Sequence, residues 1–162
     1  MNNGLKGVRT VPLQVSVNRT PWSGEVNVEQ TLLSFVRDRL GLKGTKRSCE
    51  SQVCGACTML VANQAVSSCS YFAWEAAGKE ILTIEGLAQE ETLDPVQEAF
   101  VKYGAIQCGY CTPGMVMMVK ALLNENPHPS RQEIRSWLNG SLCRCSAYVS
   151  IEQAVLDLAG RK

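Results

Sequence analysis

The sequence predicts an α+β protein, a small sheet half followed by a half built of helices. Three observations carry that reading. Residues 11–17 alternate, with Val11, Leu13, Val15 and Val17 on one face, as a half-buried strand requires. From residue 94 onward helix-starting signatures recur: Asp94–Pro95, Thr112–Pro113, Ser130 with Glu133, and Ser150 with Gln153. Finally, the eight cysteines form two quartets, Cys49/Cys54/Cys57/Cys69 and Cys108/Cys111/Cys143/Cys145, with none between 69 and 108. Two four-thiol sites imply two modules. The boundary falls within 81–91, giving domains over 1–86 and 87–162.

In the first half, Asn18 to Pro21 is turn chemistry, and residues 22–28 return as a hairpin partner. Residues 31–40 carry Leu32, Leu33, Phe35, Val36 and Leu40 at helical spacing, and Gly41 is a natural stop. Residues 58–61 read as a strand, Asn63–Gln64 as a turn, and 80–84 as another strand. In the second half a helix runs from Pro95 to about Tyr103. A second covers 114–124. A third carries Ile134, Trp137 and Leu138, and a fourth carries Ala154, Val155 and Leu158. Helices of about ten residues in this number pack as a compact bundle.

Composition narrows the function. Leu, Ile, Val and Phe supply about a quarter of the residues, enough for a packed core and too many for disorder. Charged residues are 19% and the net charge is +1, so the electrostatic case for nucleic acid is missing. No apolar run reaches the roughly 18–20 residues of a membrane span. Met1 to Thr10 has neither an apolar stretch nor paired arginines, which points to a cytoplasmic protein. The single histidine, His128, excludes any centre that needs two imidazoles, including a Rieske cluster. A chain of this length does not need disulfides to fold, and in a reducing compartment thiols are kept for metals or redox work.

Thiolates suit zinc, copper(I) and iron–sulfur clusters. The first quartet reads Cys49-x4-Cys54-x2-Cys57 with Cys69 after eleven further residues, the plant-type [2Fe–2S] order. Three ligands share one tight loop whose N–H groups can turn onto sulfur, and Gly55 and Ala56 are small enough for close approach. Structural zinc prefers two C-x2–4-C knuckles, which this trio fits poorly. A Cys54/Cys57 redox dithiol leaves Cys49 and Cys69 unexplained. The second quartet, Cys108-x2-Cys111 and Cys143-x-Cys145, takes zinc almost as readily as iron on spacing alone. Its first pair lies just before a helix start, where free N–H groups and the dipole favour anionic sulfur.

Together the quartets resemble the small iron–sulfur subunit of the xanthine oxidase family of molybdenum hydroxylases. The strings that carry the resemblance are Cys-Gly-Ala-Cys-Thr (54–58), Thr-Ile-Glu-Gly-Leu (83–87), Gln-Cys-Gly-Tyr-Cys-Thr-Pro-Gly-Met (107–115) and Leu-Cys-Arg-Cys (142–145), with Leu42-x-Gly-Thr-Lys46 and Glu125-Asn-Pro127. The resemblance implies a plant-ferredoxin-like β-grasp domain followed by a four-helix domain. Each would hold one [2Fe–2S] cluster, ligated by Cys49, Cys54, Cys57 and Cys69 and by Cys108, Cys111, Cys143 and Cys145. It implies a large molybdenum–pterin subunit as partner, touched by Gln107 and Cys145, and an FAD-binding medium subunit or a cytochrome as acceptor. The role it implies is electron conduction rather than substrate binding. Two other function classes stand beside it: a free-standing ferredoxin shuttle, which needs only one cluster, and a structural zinc-binding interaction module. Two departures from the family pattern stand out. The loop glycine within residues 50–53 is missing, and the usual Gly-Asn-Leu-Cys-Arg-Cys-Thr-Gly-Tyr is replaced by Ser at 141, Ser at 146 and Ala at 147.

Of the other residues, Lys43, Lys46 and Arg47 read as a solvated turn beside the first ligand loop, with docking of an acidic surface as the sharper alternative. Met115, Met117 and Met118 read as core or interface, on a helix apolar enough to be buried by its own bundle and a partner. Trp22, Trp74 and Trp137 read as core or interface aromatics, and His128 as an exposed loop residue.

Overall fold

The computed structural model describes residues 9–160, so most of Met1 to Thr10, on which the expected cytoplasmic location rests, lies outside the described residues. Five strands form one mixed sheet in the order β2-β1-β5-β3-β4: β1 (Thr10–Val17), β2 (Thr20–Asn27), β3 (Thr58–Val61), β4 (Gln64–Ser67) and β5 (Glu80–Leu82). β1 and β5 are parallel; the other pairings are antiparallel. The first hairpin turns on Asn18 and Arg19 alone, at φ 50° and 67°, the left-handed pair that matches strand twist. Thr20 and Pro21, expected in the turn, already belong to β2. Ala62 and Asn63 repeat the device at φ 49° and 65° and open β4, a strand too short and polar for its alternation to show.

The expected helix over 31–40 is only partly α-helical. Thr31 caps α1 (Leu32–Ser34), its hydroxyl accepting from the Ser34 N–H at 3.2 Å. The chain then widens into a π-type turn over Phe35–Arg39, closed by Leu40 N–H on Phe35 C=O at 3.2 Å. The widening brings Leu40 and Leu42 back onto the core that buries Leu32, Phe35 and Val36.

Helices α2 (Pro95–Lys102), α3 (Thr112–Glu125), α4 (Arg131–Leu138) and α5 (Tyr148–Leu158) make up the second half. Asp94 accepts from Val96 N–H while Gln97 accepts from Asp94 N–H, both at 2.9 Å, and Ser130 and Glu133 form the same reciprocal cap. Two expected starts move. Thr112 is the first residue of α3 rather than its cap; Cys111 holds the cap position. Helix α5 begins after Ala147, so Ser150 lies within its first turn instead of capping it. Tyr148 Oη, bonded into the preceding loop, holds the chain in helical register three residues earlier than the Ser150–Gln153 pattern suggests.

β3 is buried on both faces, and this joins the halves. Met59 and Val61 pack with Leu13, Val15, Phe35 and Ile81 on one side. Leu60 packs on the other with Phe100, Met115, Met117, Ile134 and Ile151 of the helical core. Helix α3 lies along β3, flanked by α2, α4 and the turn at Ile84–Gly86. Its nearly all-apolar surface is therefore covered by this chain's own sheet and helices, where a partner had been expected to supply part of the cover. Met115 and Met117 are fully buried, and Met118 accepts the Trp137 indole N–H through its carbonyl at 2.9 Å. Among the described residues no helix is long and apolar enough to cross a membrane.

Candidate metal-cluster site

The packing of α3 on β3 sets the site. Cys57 immediately precedes β3 and Cys111 immediately precedes α3, so two of the eight thiols stand at neighbouring ends of packed elements. The other thiols gather around them. Cys57 and Cys69 lie together, buried against Leu33. Cys143 stands beside Cys111, and Cys145 beside Cys108. A cleft of about 370 Å³ is lined by Cys54 of the first quartet and by Cys108, Cys111 and Cys143 of the second. All eight are free thiols. Among the described residues no three His, Cys, Asp or Glu side chains converge on a single-ion position.

Backbone N–H groups turn onto sulfur in both loops, as the first loop's spacing suggested. Ser51 and Cys54 donate to Cys49 Sγ at 3.5 and 3.4 Å, and Ala147 donates to Cys143 Sγ at 3.4 Å. The thiol acidities follow. The Ser51 and Cys54 N–H groups hold Cys49 down at about 6, and the Tyr110 N–H lowers Cys108. Burial pushes Cys57 up to about 11 and Cys111 up to about 12.

The two loops also hold each other. Leu142 N–H donates to Cys54 C=O at 2.9 Å, joining the residue before Cys143 to a thiol residue of the first quartet. Tyr110 Oη donates to Arg47 C=O, and Cys143 N–H donates to Tyr148 Oη at 2.7 Å. Gly55 stands at φ 69° against Gly140 and Ser141, and Gly114 of α3 presses on Gly55 C=O so closely that a Cβ there would lie 2.3 Å from that oxygen.

Known proteins show the same two signatures. Residues 15–88 match a 2Fe-2S iron–sulfur cluster binding domain and residues 83–156 a [2Fe-2S] binding domain. The chain is 42% identical over 151 residues to the nicotine 6-hydroxylase small subunit of Paenarthrobacter nicotinovorans, covering 93% of this chain and 91% of that one. It is 43% identical to the xanthine dehydrogenase iron–sulfur-binding subunit of Escherichia coli O157:H7, covering 91% and 94%. The solved quinoline 2-oxidoreductase of Pseudomonas putida 86 contains a chain that superposes with a TM-score of 0.88 at 39% identity, covering 93% and 94%. The chain belongs to the small iron–sulfur subunits of the xanthine oxidase family of molybdenum hydroxylases.

As such a subunit it carries two [2Fe–2S]-binding domains, and the donor set suits them. A diiron rhomb asks two thiolates of each iron and welcomes N–H donors at its sulfurs. The raised Cys57 and Cys111 values belong to the free thiols; metal binding takes their protons. Gln107 is exposed and Cys145 half-buried, both at the edge of the second quartet.

Two strings that carry the resemblance turn out to position the first ligand loop, together with Asn18, which no motif marks beforehand. Asn18, in the first hairpin turn, exchanges two hydrogen bonds of 2.9 Å with Thr83, whose hydroxyl donates to Glu85 at 2.6 Å. Glu85 in turn accepts from Gly44 N–H at 2.7 Å, so the Thr-Ile-Glu-Gly-Leu string holds the irregular segment that leads into the first ligand loop. Lys46 N–H reaches Ala56 C=O at 3.3 Å, tying the flank of that loop to its far side. Arg47 bonds Asp38 at 2.9 Å and Glu50 at 3.2 Å, and Lys46 Nζ donates to Lys43 C=O at 3.3 Å, which leaves Lys43 as the exposed cation of the turn. His128 lies in the loop between α3 and α4 with Nδ1 3.1 Å from Ala159 C=O. Trp22 is half-buried edge-on to Phe35, and Trp74 is exposed and stacked on Phe72.

The missing loop glycine has a structural signature. Glu50 and Gln52 stand at φ 53° and 62°, conformations that cost a side chain about 1 kcal/mol or more. Gln52 is exposed, so its side chain is not held by packing. Gln52→Gly is therefore expected to change stability by less than about 0.5 kcal/mol, because relief of strain is offset by the glycine's freedom in the unfolded chain. Gln52→Val is expected to cost more than about 1 kcal/mol, since a β-branched residue tolerates a positive φ worst. Urea midpoints of the two variants measure the difference, with m held constant.

Proposed function

We propose that Cys49, Cys54, Cys57 and Cys69 ligate one [2Fe–2S] cluster and Cys108, Cys111, Cys143 and Cys145 a second, and that the chain conducts electrons within a molybdenum hydroxylase. The observation that carries the reading is that two thiol quartets, each with backbone donors on sulfur, meet at one hydrogen-bonded seam. Backbone N–H donors on Cys49 Sγ and Cys143 Sγ suit the anionic, sulfur-rich shell of a [2Fe–2S] cluster. In this reading 1–86 is a β-grasp ferredoxin-like domain and 87–162 a four-helix domain.

The clusters supply one-electron carriage; the chain supplies spacing, potential and docking. Electrons enter at the second quartet from the molybdenum–pterin cofactor of a large subunit, beside Gln107 and Cys145. They leave from the first quartet toward an FAD-binding medium subunit or a cytochrome. The surfaces support two partners. Ile106, Tyr110, Leu142, Tyr148 and Val149 are apolar side chains left exposed around the second quartet, an apolar fringe suited to a permanent interface. Val53 is 62% exposed on the first ligand loop.

Purification with the partner subunits, followed by assay of iron and acid-labile sulfide, tests the reading. About four of each per chain, two per cluster, are expected. Zinc without sulfide would overturn it.

A further inference from the structure

Ser141 stands where the family pattern has asparagine, and its side chain is out of keeping with its surroundings. The residue is 2% exposed, yet Oγ has no hydrogen-bond partner among the protein atoms. A buried hydroxyl left unpaired is costly, and a folded protein that keeps one points to a partner other than the polypeptide. Its position limits what that partner is. A Cβ built on Gly55 would fall 2.4 Å from Ser141 Oγ, so the hydroxyl lies on the backbone between Cys54 and Cys57. The neighbouring polar groups are already engaged. Cys54 C=O accepts from Leu142, and Gly55 C=O accepts from both the N–H and the hydroxyl of Thr58 at 3.1 and 2.7 Å. Ser141 C=O accepts from Tyr148 Oη at 3.4 Å. Gly140 C=O lies at the same spot but accepts no bond from the hydroxyl. The backbone that the hydroxyl meets runs between Cys54 and Cys57, and the sulfurs of a cluster held by those two residues would be acceptors only.

We propose that Ser141, on the helical half, donates a hydrogen bond to the sulfur shell of the cluster held by the first quartet, and so raises that cluster's reduction potential from across the seam. The proposal rests on the assignment of that quartet as a [2Fe–2S] site. Reduction adds negative charge to the sulfurs, so a donor stabilises the reduced form more than the oxidised one. Ser141 acts as a positioning residue for the first cluster's electronics and takes no part in ligation.

The experiment is an EPR-monitored redox titration of the holo-complex, wild type beside Ser141→Ala and Ser141→Asn. The Cys57→Ser variant identifies which signal belongs to the first cluster. Ser141→Ala is expected to keep full iron and sulfide content and to move the first cluster's midpoint downward. It should also lose one exchangeable-proton coupling from that signal in D2O ENDOR. Ser141→Asn, which restores a donor, is expected to hold the midpoint near the wild-type value. An unmoved midpoint with unchanged proton couplings in Ser141→Ala overturns the proposal and leaves the hydroxyl on a buried water. A shift confined to the other signal overturns it too. If the wild type itself lacks two signals, the assignment of the quartets fails instead, and the two failures are told apart.

Discussion

Gly55→Ala is expected to be the most damaging single methyl that can be added to this chain. Two independent costs meet at the position. Gly55 has φ 69°, where a non-glycine residue costs about 1–3 kcal/mol. The new Cβ would lie 2.4 Å from Ser141 Oγ, 2.5 Å from Gly140 C=O and 2.9 Å from Ser141 Cα, and two of those three atoms are backbone or bonded directly to it. Backbone does not rotate away, so overpacking adds about 1–3 kcal/mol more. The sum is a large share of the roughly 5–15 kcal/mol that a domain has in all. The damage is also local to function. Forcing the loops apart strains the Leu142–Cys54 hydrogen bond and displaces Cys54 and Cys143 together. The expected result is a lowered urea midpoint and loss of iron from both quartets on purification, measured against Gly78→Ala as control. Gly78 has a similar φ of 72° but nothing within 4 Å of its would-be Cβ, so it reports the strain without the clash. Equal losses in the two variants would remove the seam from the explanation.

That seam divides what the sequence made legible from what it did not. The ligand candidates were legible because thiols are few and their spacing is short-range: three within nine residues, and pairs at Cys108/Cys111 and Cys143/Cys145. The caps at Asp94 and Ser130 were legible for the same reason, since a cap is a contact between residues two or three apart. Where the decisive contact is distant the reading failed. Tyr148 fixes the start of α5 through the N–H of Cys143 and the carbonyl of Ser141, five and seven residues back and so already beyond the spacing of a cap. Helix α3 looked too apolar for its own domain because the strand that covers it, β3, lies about fifty residues earlier in the chain. Likewise the requirement for glycine at 55 and 114 comes from one backbone pressing on another, which a sequence shows only as two small residues. β4 went unread because Gln64–Ser67 offers one sizeable apolar side chain, Val66, and is a strand chiefly through pairing with β3.

Cys111→Ser and Cys57→Ser are expected to separate entry from exit. Cys111 holds the cap position of α3 beside Cys143, so on the proposed assignment its loss is expected to remove the second cluster and leave the sheet half in place. Cys57 is buried with Cys69 against Leu33, so its loss is expected to remove the first cluster while the helical half keeps its four thiols. Loss of an outer hydrogen-bonding partner already costs a metal site about 10–100-fold, and loss of a ligand costs more, so turnover with the physiological acceptor should fall by more than about 100-fold in both variants. The distinction lies in what substrate still reduces. In Cys57→Ser the remaining EPR signal should appear when substrate is added anaerobically, since entry through the second quartet is intact. In Cys111→Ser the remaining signal should stay silent with substrate yet develop with dithionite, since the first cluster is present but cut off from the molybdenum side. The opposite pattern, with Cys111→Ser reduced by substrate and Cys57→Ser not, would reverse the proposed electron order. Both variants need only the surviving signal to be interpretable, because each keeps one intact quartet in a half whose core does not use the missing thiol as its centre: Met59, Phe35 and Ile81 on the sheet side, Met115, Met117 and Ile151 on the helical side.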